Sequence, residues 1–402
     1  MLKVWNLSLI VAAFALTTFG TFLTRGSILS SVHAFAQSAV GPLYLAFLTA
    51  VLAVGFGLIV ARGPLLRSES EFDTPLSREG VFLGNNLLLG VLLLTVLVGT
   101  VFPLIDEALT GARVSVGEPY FDRTTVPVVL LLLLLMGIGP LVPWRAGSSG
   151  PLLRRLRAPA WAGATVMVIL VVLGVTDVPA LLAFGLSAFV AWATVAEIAR
   201  SVRAYRRANA TGPLAAIGGA VRRNPRLYGG LTVHLGLVLV VVAITASSSF
   251  REQTEVSLLR GQTATFAGTT FRFDGVTSHP EPQRMVLVTH LTLLDARRPV
   301  GRLIPSLNFY PSSNDPIGTP SIRRGTPQNL FRDLYASVQS VSPGGRRATF
   351  RLYLNPGVFW LWVGGAVMVL GGLLALVPSR KRKTVAAVPV EQRSRELVEA
   401  SR

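Results

Sequence analysis

The sequence predicts an α-helical polytopic membrane protein of about eight transmembrane helices, with one small antiparallel β domain outside the bilayer. Two observations predict this class. Hydrophobic residues make up 51% of the chain and charged residues only 14%, against roughly 25% charge in a soluble protein. The apolar residues are also gathered into blocks approaching or exceeding the ~20 residues that a helix needs to cross a bilayer. Helices are expected because lipid leaves the backbone groups of an open strand unpaired.

The predicted spans are 5–23, 41–61, 81–103, 126–144, 160–177, 179–198, 228–247 and 357–377. The first is read as a retained helix. Only Lys3 precedes it, no small-residue cleavage site follows, and the chain continues as TFLTRG, so it does not read as a secretory signal. The runs LLLLLLMGIG and LGLVLVVVAITA make the fourth and seventh spans plain.

Between the spans, arginines alternate. One set of connections carries Arg62, Arg67 and Arg78, then Arg145, Arg154, Arg155 and Arg157, then seven arginines between Arg200 and Arg226. The tail adds Arg380, Lys381, Arg382 and Lys383. The opposite set carries Arg25, Arg113 and Arg123. The positive-inside rule makes the rich side cytoplasmic. Both termini then lie on the cytoplasmic side, and the basic tail 378–402 reads as disordered. The stretch 104–125 reads as an outside loop, and 199–227 as a basic linker able to lie on the membrane surface.

Residues 248–356 form the one large interruption. Short alternating runs such as TFRFDGV, RMVLVTHLTLLD and ATFRLYLN, separated by Gly, Pro and Asn-Asp, predict strands. This β domain lies on the outer side, tethered at the membrane at both ends; the resemblance described below makes that side periplasmic.

Several function classes drop out. The net charge of +18 sits mostly in short connections, where the positive-inside rule puts it, so no nucleic-acid partner is expected; the surrounding partner is membrane lipid. The chain has no cysteine, so any thiol chemistry must use another molecule's sulfur. There is no P-loop, no H-E-x-x-H and no G-x-S-x-G. No acidic pair lies within a span, which disfavours a proton-coupled carrier.

Four histidines remain. His234, in YGGLTVHLGLVLV, lies inside the seventh span. There it is either a neutral ring bonded to a neighbouring helix or an axial ligand to haem iron. Gly229, Gly230 and Gly236 around it would admit either a flat macrocycle or another helix. His33 lies in the outer loop after Arg25. It is either a solvated loop residue or an iron ligand whose neighbouring arginine pairs with a haem propionate. His279 and His290 read as structural or surface residues of the β domain.

Longer stretches carry a resemblance. LKVWNLSLIVAAFALTTFGTFLTRGSILSSVHAFA, REGVFLGNNLLL, VSVGEPYFD, RRNPRLYGGLTVHLG and LYLNPGVFWLWVGGAVMVLGG occur in this order. Together they resemble the CcmF (NrfE-like) cytochrome c haem lyase family, over most of residues 1–378. The resemblance implies cytochrome c maturation, in which haem vinyl groups are joined to the thiols of a C-x-x-C-H apocytochrome c. It implies that His33 holds the transferred haem and that His234 ligates a resident haem b, each as an iron axial ligand. Arg25, and Tyr120 in VSVGEPYFD, become candidates for contacts to a haem propionate or to the substrate loop. The implied partners are the haem chaperone CcmE, CcmH-type subunits and apocytochrome c.

The family also carries a Trp-rich WWD segment and two further histidines upstream of SVHAFA, and these are not in this chain. Trp5, Trp144, Trp161, Trp192, Trp360 and Trp362 form no such cluster in the sequence. The expectation is a C-terminal half, either a fragment or a split subunit. Each axial pair would be incomplete here, and lyase activity would need an N-terminal WWD-containing partner. A non-catalytic scaffold that docks apocytochrome or the chaperone is the alternative, and a transporter the second.

Overall fold

The computed structural model describes residues 3–25, 40–66, 77–111, 114–142, 149–295, 298–311, 316–323 and 332–378. His33, Trp144 and the tail after residue 378 lie outside them. Among the described residues, eight helices are long and apolar enough to cross a membrane, and an antiparallel β domain is inserted before the last. The chain divides into two compact units, meeting at residues 153 and 154.

The first unit contains α1 (Lys3–Arg25), α2 (Gly41–Ala61), the single turn α3 (Gly63–Leu66), α4 (Arg78–Thr110) and α5 (Glu118–Ile138). α1 packs on α2, and α4 on α5. Ser77 caps α4 by accepting a hydrogen bond from the Gly80 amide at 3.1 Å. Gly111, at φ 70°, ends the helix in the left-handed conformation that glycine adopts freely. The stretch 104–125 is therefore mostly helix rather than loop. LIDEALT continues α4 to its glycine cap, and Glu118 and Pro119 at its first turn start α5 early. Pro103 sits inside α4 without ending it.

The second unit contains most of α6 (Ser149–Val172), then α7 (Val178–Asn209), α8 (Pro213–Arg223), α9 (Pro225–Ser249), ten strands and α10 (Val358–Leu376). α6 and α7 outrun the apolar spans at one end, because LLRRLR and EIARSVRAYRRAN are good helix formers even where lipid no longer drives them. The 199–227 linker is helical almost throughout. Its α8 packs Ala216 and Ala220 inward and leaves Leu214 and Ile217 exposed.

α9 and α10 form an antiparallel pair with a heptad register. A Cβ on Gly229 would stand 2.6 Å from the Gly371 carbonyl oxygen, and one on Gly236 would stand 2.7 Å from that of Gly364. Gly357 lies over Ala243, whose carbonyl oxygen would be 3.8 Å from its Cβ. Residues 229, 236 and 243 thus meet 371, 364 and 357, seven apart on each helix. Small side chains let the backbones touch, which in lipid supplies the packing that a hydrophobic drive cannot.

The strands make two sheets. One has the order β1 (Glu252–Leu259), β10 (Arg347–Pro356), β9 (Arg332–Val341), β8 (Ser321–Arg323). The other has the order β2 (Thr263–Phe266), β3 (Thr269–Glu281), β4 (Arg284–Asp295), β6 (Ser306–Phe309), β7 (Ile317–Thr319), with β5 (Arg298–Leu303) also on β4. Alternate residues of both sheets fill one core. Phe271, Phe273, Leu291 and Leu293 meet Val338, Phe350 and Leu352, as the period of two requires. Only two residues separate α9 from β1 and one separates β10 from α10. Glu252 pairs with Leu354 at the base of the sandwich. Arg251 closes the junction, its Nε donating to Asn355 Oδ1 at 3.1 Å.

Candidate functional site

His234 lies nine residues into α9, about 13 Å along the helix at ~1.5 Å per residue. Its Nδ1 is buried and has no hydrogen-bond partner among the described residues. An unpaired polar atom in a membrane helix is costly, so this ring is an outlier in an otherwise apolar stretch. Among the described residues, Nδ1 makes no bond to a neighbouring helix.

The three flanking glycines divide between two tasks. Gly229 and Gly236 are occupied by the backbone of α10. Gly230 has nothing within 4 Å of where a Cβ would stand. Residues four apart share a helix face, so Gly230 and His234 form a strip with an open end, turned away from α10. A flat macrocycle needs such a smooth approach beside its ligating ring. The buried unpartnered nitrogen and the open glycine fit a haem-ligating imidazole. Among the described residues no group of three or more His, Asp or Glu could hold a bare metal ion, a set that haem does not require.

Of the other predicted residues, Arg25 and Tyr120 belong to the first unit, and His234 to the second. His33 lies outside the described residues. Arg25 is the last residue of α1. Tyr120 is on a helix, not in a loop. Its hydroxyl donates to the Thr95 carbonyl oxygen at 3.2 Å, and its ring fills the space over Gly99, where a Cβ would meet it at 2.8 Å. This packing joins α5 to α4 and gives Tyr120 a structural task within the first unit.

The β-domain histidines have local partners. His290 Nε2 and Thr277 Oγ1 are 2.9 Å apart across β3 and β4. His279 Nε2 lies 3.6 Å from Glu281 Oε1. The most organised charged group of the domain is at Asp274, in a β-bulge where the pairing of β3 with β4 slips. Burial would raise its carboxyl pKa, but the hydrogen bond from Thr292 and the Arg272 guanidinium, with the charge of Arg302, hold it below the usual value. Arg260 donates to the Asp274 carbonyl at 2.9 Å. The site is a structural brace, because Arg260, Arg272 and Thr292 are all hydrogen-bonded to Asp274.

Comparison with known proteins gives one consistent result. Residues 249–356 match the family model described as the CcmF C-terminal beta-sandwich. The chain is 33% identical to the cytochrome c-type biogenesis protein CcmF of Escherichia coli K12, over 95% of this chain and 56% of that protein. It is 32% identical to CcmF of Pseudomonas aeruginosa over the same shares. It is also 28% identical to the probable cytochrome c-type biogenesis protein NrfE of E. coli, over 94% of this chain and 53% of that one. The solved structure titled Cytochrome c Heme Lyase CcmF aligns with a TM-score of 0.65 at 30% identity, covering 94% of this chain and 55% of its own. The chain therefore spans about half the length of the curated relatives it matches. Over nearly its whole length the chain is similar to CcmF, and its β domain matches the CcmF C-terminal β-sandwich.

Proposed function

We propose that this chain serves cytochrome c maturation as the C-terminal half of a CcmF-like haem lyase, binding haem and positioning it for thioether attachment to the C-x-x-C-H motif of apocytochrome c. The observation that carries the reading is His234. It has a buried imidazole nitrogen with no partner among the described residues, beside an open glycine, in a chain similar to a haem lyase over nearly its whole length.

In this reading His234 supplies one axial ligand to a resident b-type haem, and His33 holds the haem that is to be transferred. A resident haem supplies a one-electron carrier. The protein's own share is placement, since holding two reactants together removes much of the entropic barrier. The thiols come from apocytochrome c, in keeping with a chain that has none. CcmE would deliver haem, CcmH-type subunits would present the apocytochrome, and a WWD-containing half would complete both axial pairs.

The sandwich is assigned to the periplasmic side and both termini to the cytoplasm of the inner membrane. Arg203, Arg206, Arg207, Arg222, Arg223 and Arg226 cluster at the end of α9 opposite the sandwich, where the positive-inside rule expects them.

The test is the visible spectrum of the complex carrying His234→Ala. Loss of the b-type signal is expected. An unchanged signal would remove His234 as the ligand, and a parent complex free of haem would favour a scaffold.

A further inference from the structure

α7 carries a second buried polar feature. Ser187, Thr194 and Ser201 are spaced by seven, so they share one face of the helix. Ser187 is 2% exposed and Thr194 is 1% exposed. Neither hydroxyl has a hydrogen-bond partner among the described residues. Ser201, the third, accepts from the hydroxyl of Tyr228 at 2.9 Å, which shows that this face is turned to α9.

Two contacts fix the register of this antiparallel pair. One is Tyr228 to Ser201. The other, near the far end, is Ser249 Oγ donating to Asp177 Oδ2 at 3.3 Å. From the first, Thr194 is seven residues along α7 and His234 six along α9, or ~10.5 and ~9 Å in the same direction. From the second, they are seventeen and fifteen residues back, or ~25 and ~22 Å. Both measures put Thr194 and His234 at one level. His234 also lies three and four residues from Leu231 and Val238, both buried, on a strip of α9 that α10 does not cover.

Two unpartnered polar atoms thus stand at one depth on facing helices, one a hydroxyl and one a ring nitrogen. We infer that the Thr194 hydroxyl is the acceptor for the Nδ1–H of His234, a positioning residue that fixes the ring and presents Nε2 to iron. An imidazole that binds a metal through one nitrogen generally gives its other N–H to such a partner, which sets the tautomer and raises the ligand's basicity. The inference rests on the proposed role of His234.

The test uses the full chain purified from membranes with its associated partners, and reads the visible spectrum and midpoint potential of the b-type haem. Thr194→Val removes the hydroxyl and keeps the shape. It is expected to retain haem with an upward shift in potential, because a ring without its acceptor donates less electron density to iron. Thr194→Ser restores the hydroxyl and should return the potential toward the parent value. Ser187→Ala, a heptad away on the same line, should leave it unchanged. If valine at 194 does not accumulate, Thr194→Ala carries the same expectation.

An unchanged potential in the hydroxyl-free variant overturns the inference. So does an equal shift, or equal loss of haem, in the valine and serine variants, since that would mark a packing role. His234→Ala distinguishes the role of Thr194 from that of His234. If it abolishes the signal while Thr194→Val is silent, only the inference fails. If it keeps the signal, or the parent holds no haem, the role of His234 fails with it.

Discussion

Gly236 and Gly364 touch backbone to backbone: a Cβ on either would stand 2.7 Å from the other's carbonyl oxygen. Neither backbone can yield as a flexible side chain would. Gly236→Leu should therefore push α10 away and destabilise the pair, by ~1–3 kcal/mol on the scale of overpacked cores. Thermal unfolding in detergent measures it, and parent-like stability would show that the contact is loose.

Gly230 supplies the contrast. It is on the same helix with open space above it. Gly230→Leu should leave the unfolding temperature nearly unchanged, yet reduce the b-type haem signal several-fold if the macrocycle lies over this strip. A full haem complement in that variant would place the macrocycle elsewhere.

In the sandwich, Phe273 and Phe350 meet edge to face with ring centroids 5.4 Å apart, and both are fully buried. Phe273→Ala should cost about 3–5 kcal/mol. Hydrogen exchange of the β3 and β4 amides in the full chain would report it as loss of protection.

Gly275 follows the Asp274 bulge at φ 143°, a conformation that side-chain-bearing residues resist. Gly275→Ala should destabilise the domain by ~1–3 kcal/mol. The same amides would exchange faster, and unchanged protection would mean that the bulge relaxes.

Asp274 also sets a pH dependence. Its folded pKa is held below the ordinary value of 3.8. The bound proton is therefore favoured in the unfolded chain. Its contribution is present above the unfolded value and is lost as pH falls through the folded one. Protection of β3 should weaken as pH drops below about 4. Asp274→Asn should flatten that acid limb, and an identical limb in the variant would assign it to other carboxylates.

Much of this architecture was legible in the sequence. Long apolar runs announce membrane helices because lipid permits little else, and the alternation in TFRFDGV and ATFRLYLN announces strands. Helix ends were less legible. Arginine-rich turns of α7 stay helical by local propensity and by the Glu197–Arg200 pair at 2.8 Å, which a hydropathy reading does not see. His234 stood out because a titratable ring is rare in such a block. The glycines beside it were ambiguous, since only the position of α10 shows that Gly229 and Gly236 are occupied and Gly230 is open. The spacing of Ser187, Thr194 and Ser201 was visible as text, but three small hydroxyls seven apart acquire meaning only once a helix bearing an unpartnered ring lies across from them.

The entry and exit of the sandwich have a consequence for its modularity. The chain leaves α9 and returns to α10 at adjacent points, with Glu252 opposite Leu354 and Gly357 seated against Ala243 and Ala246. Topologically, the domain replaces the connecting turn of a helical hairpin. Excision of 252–356 would leave two neighbouring helix ends that a short turn could join, with the glycine register intact below. The helices and the sandwich are thus separable in sequence, yet the two attachment points deny the domain the free rotation that a single linker would give it.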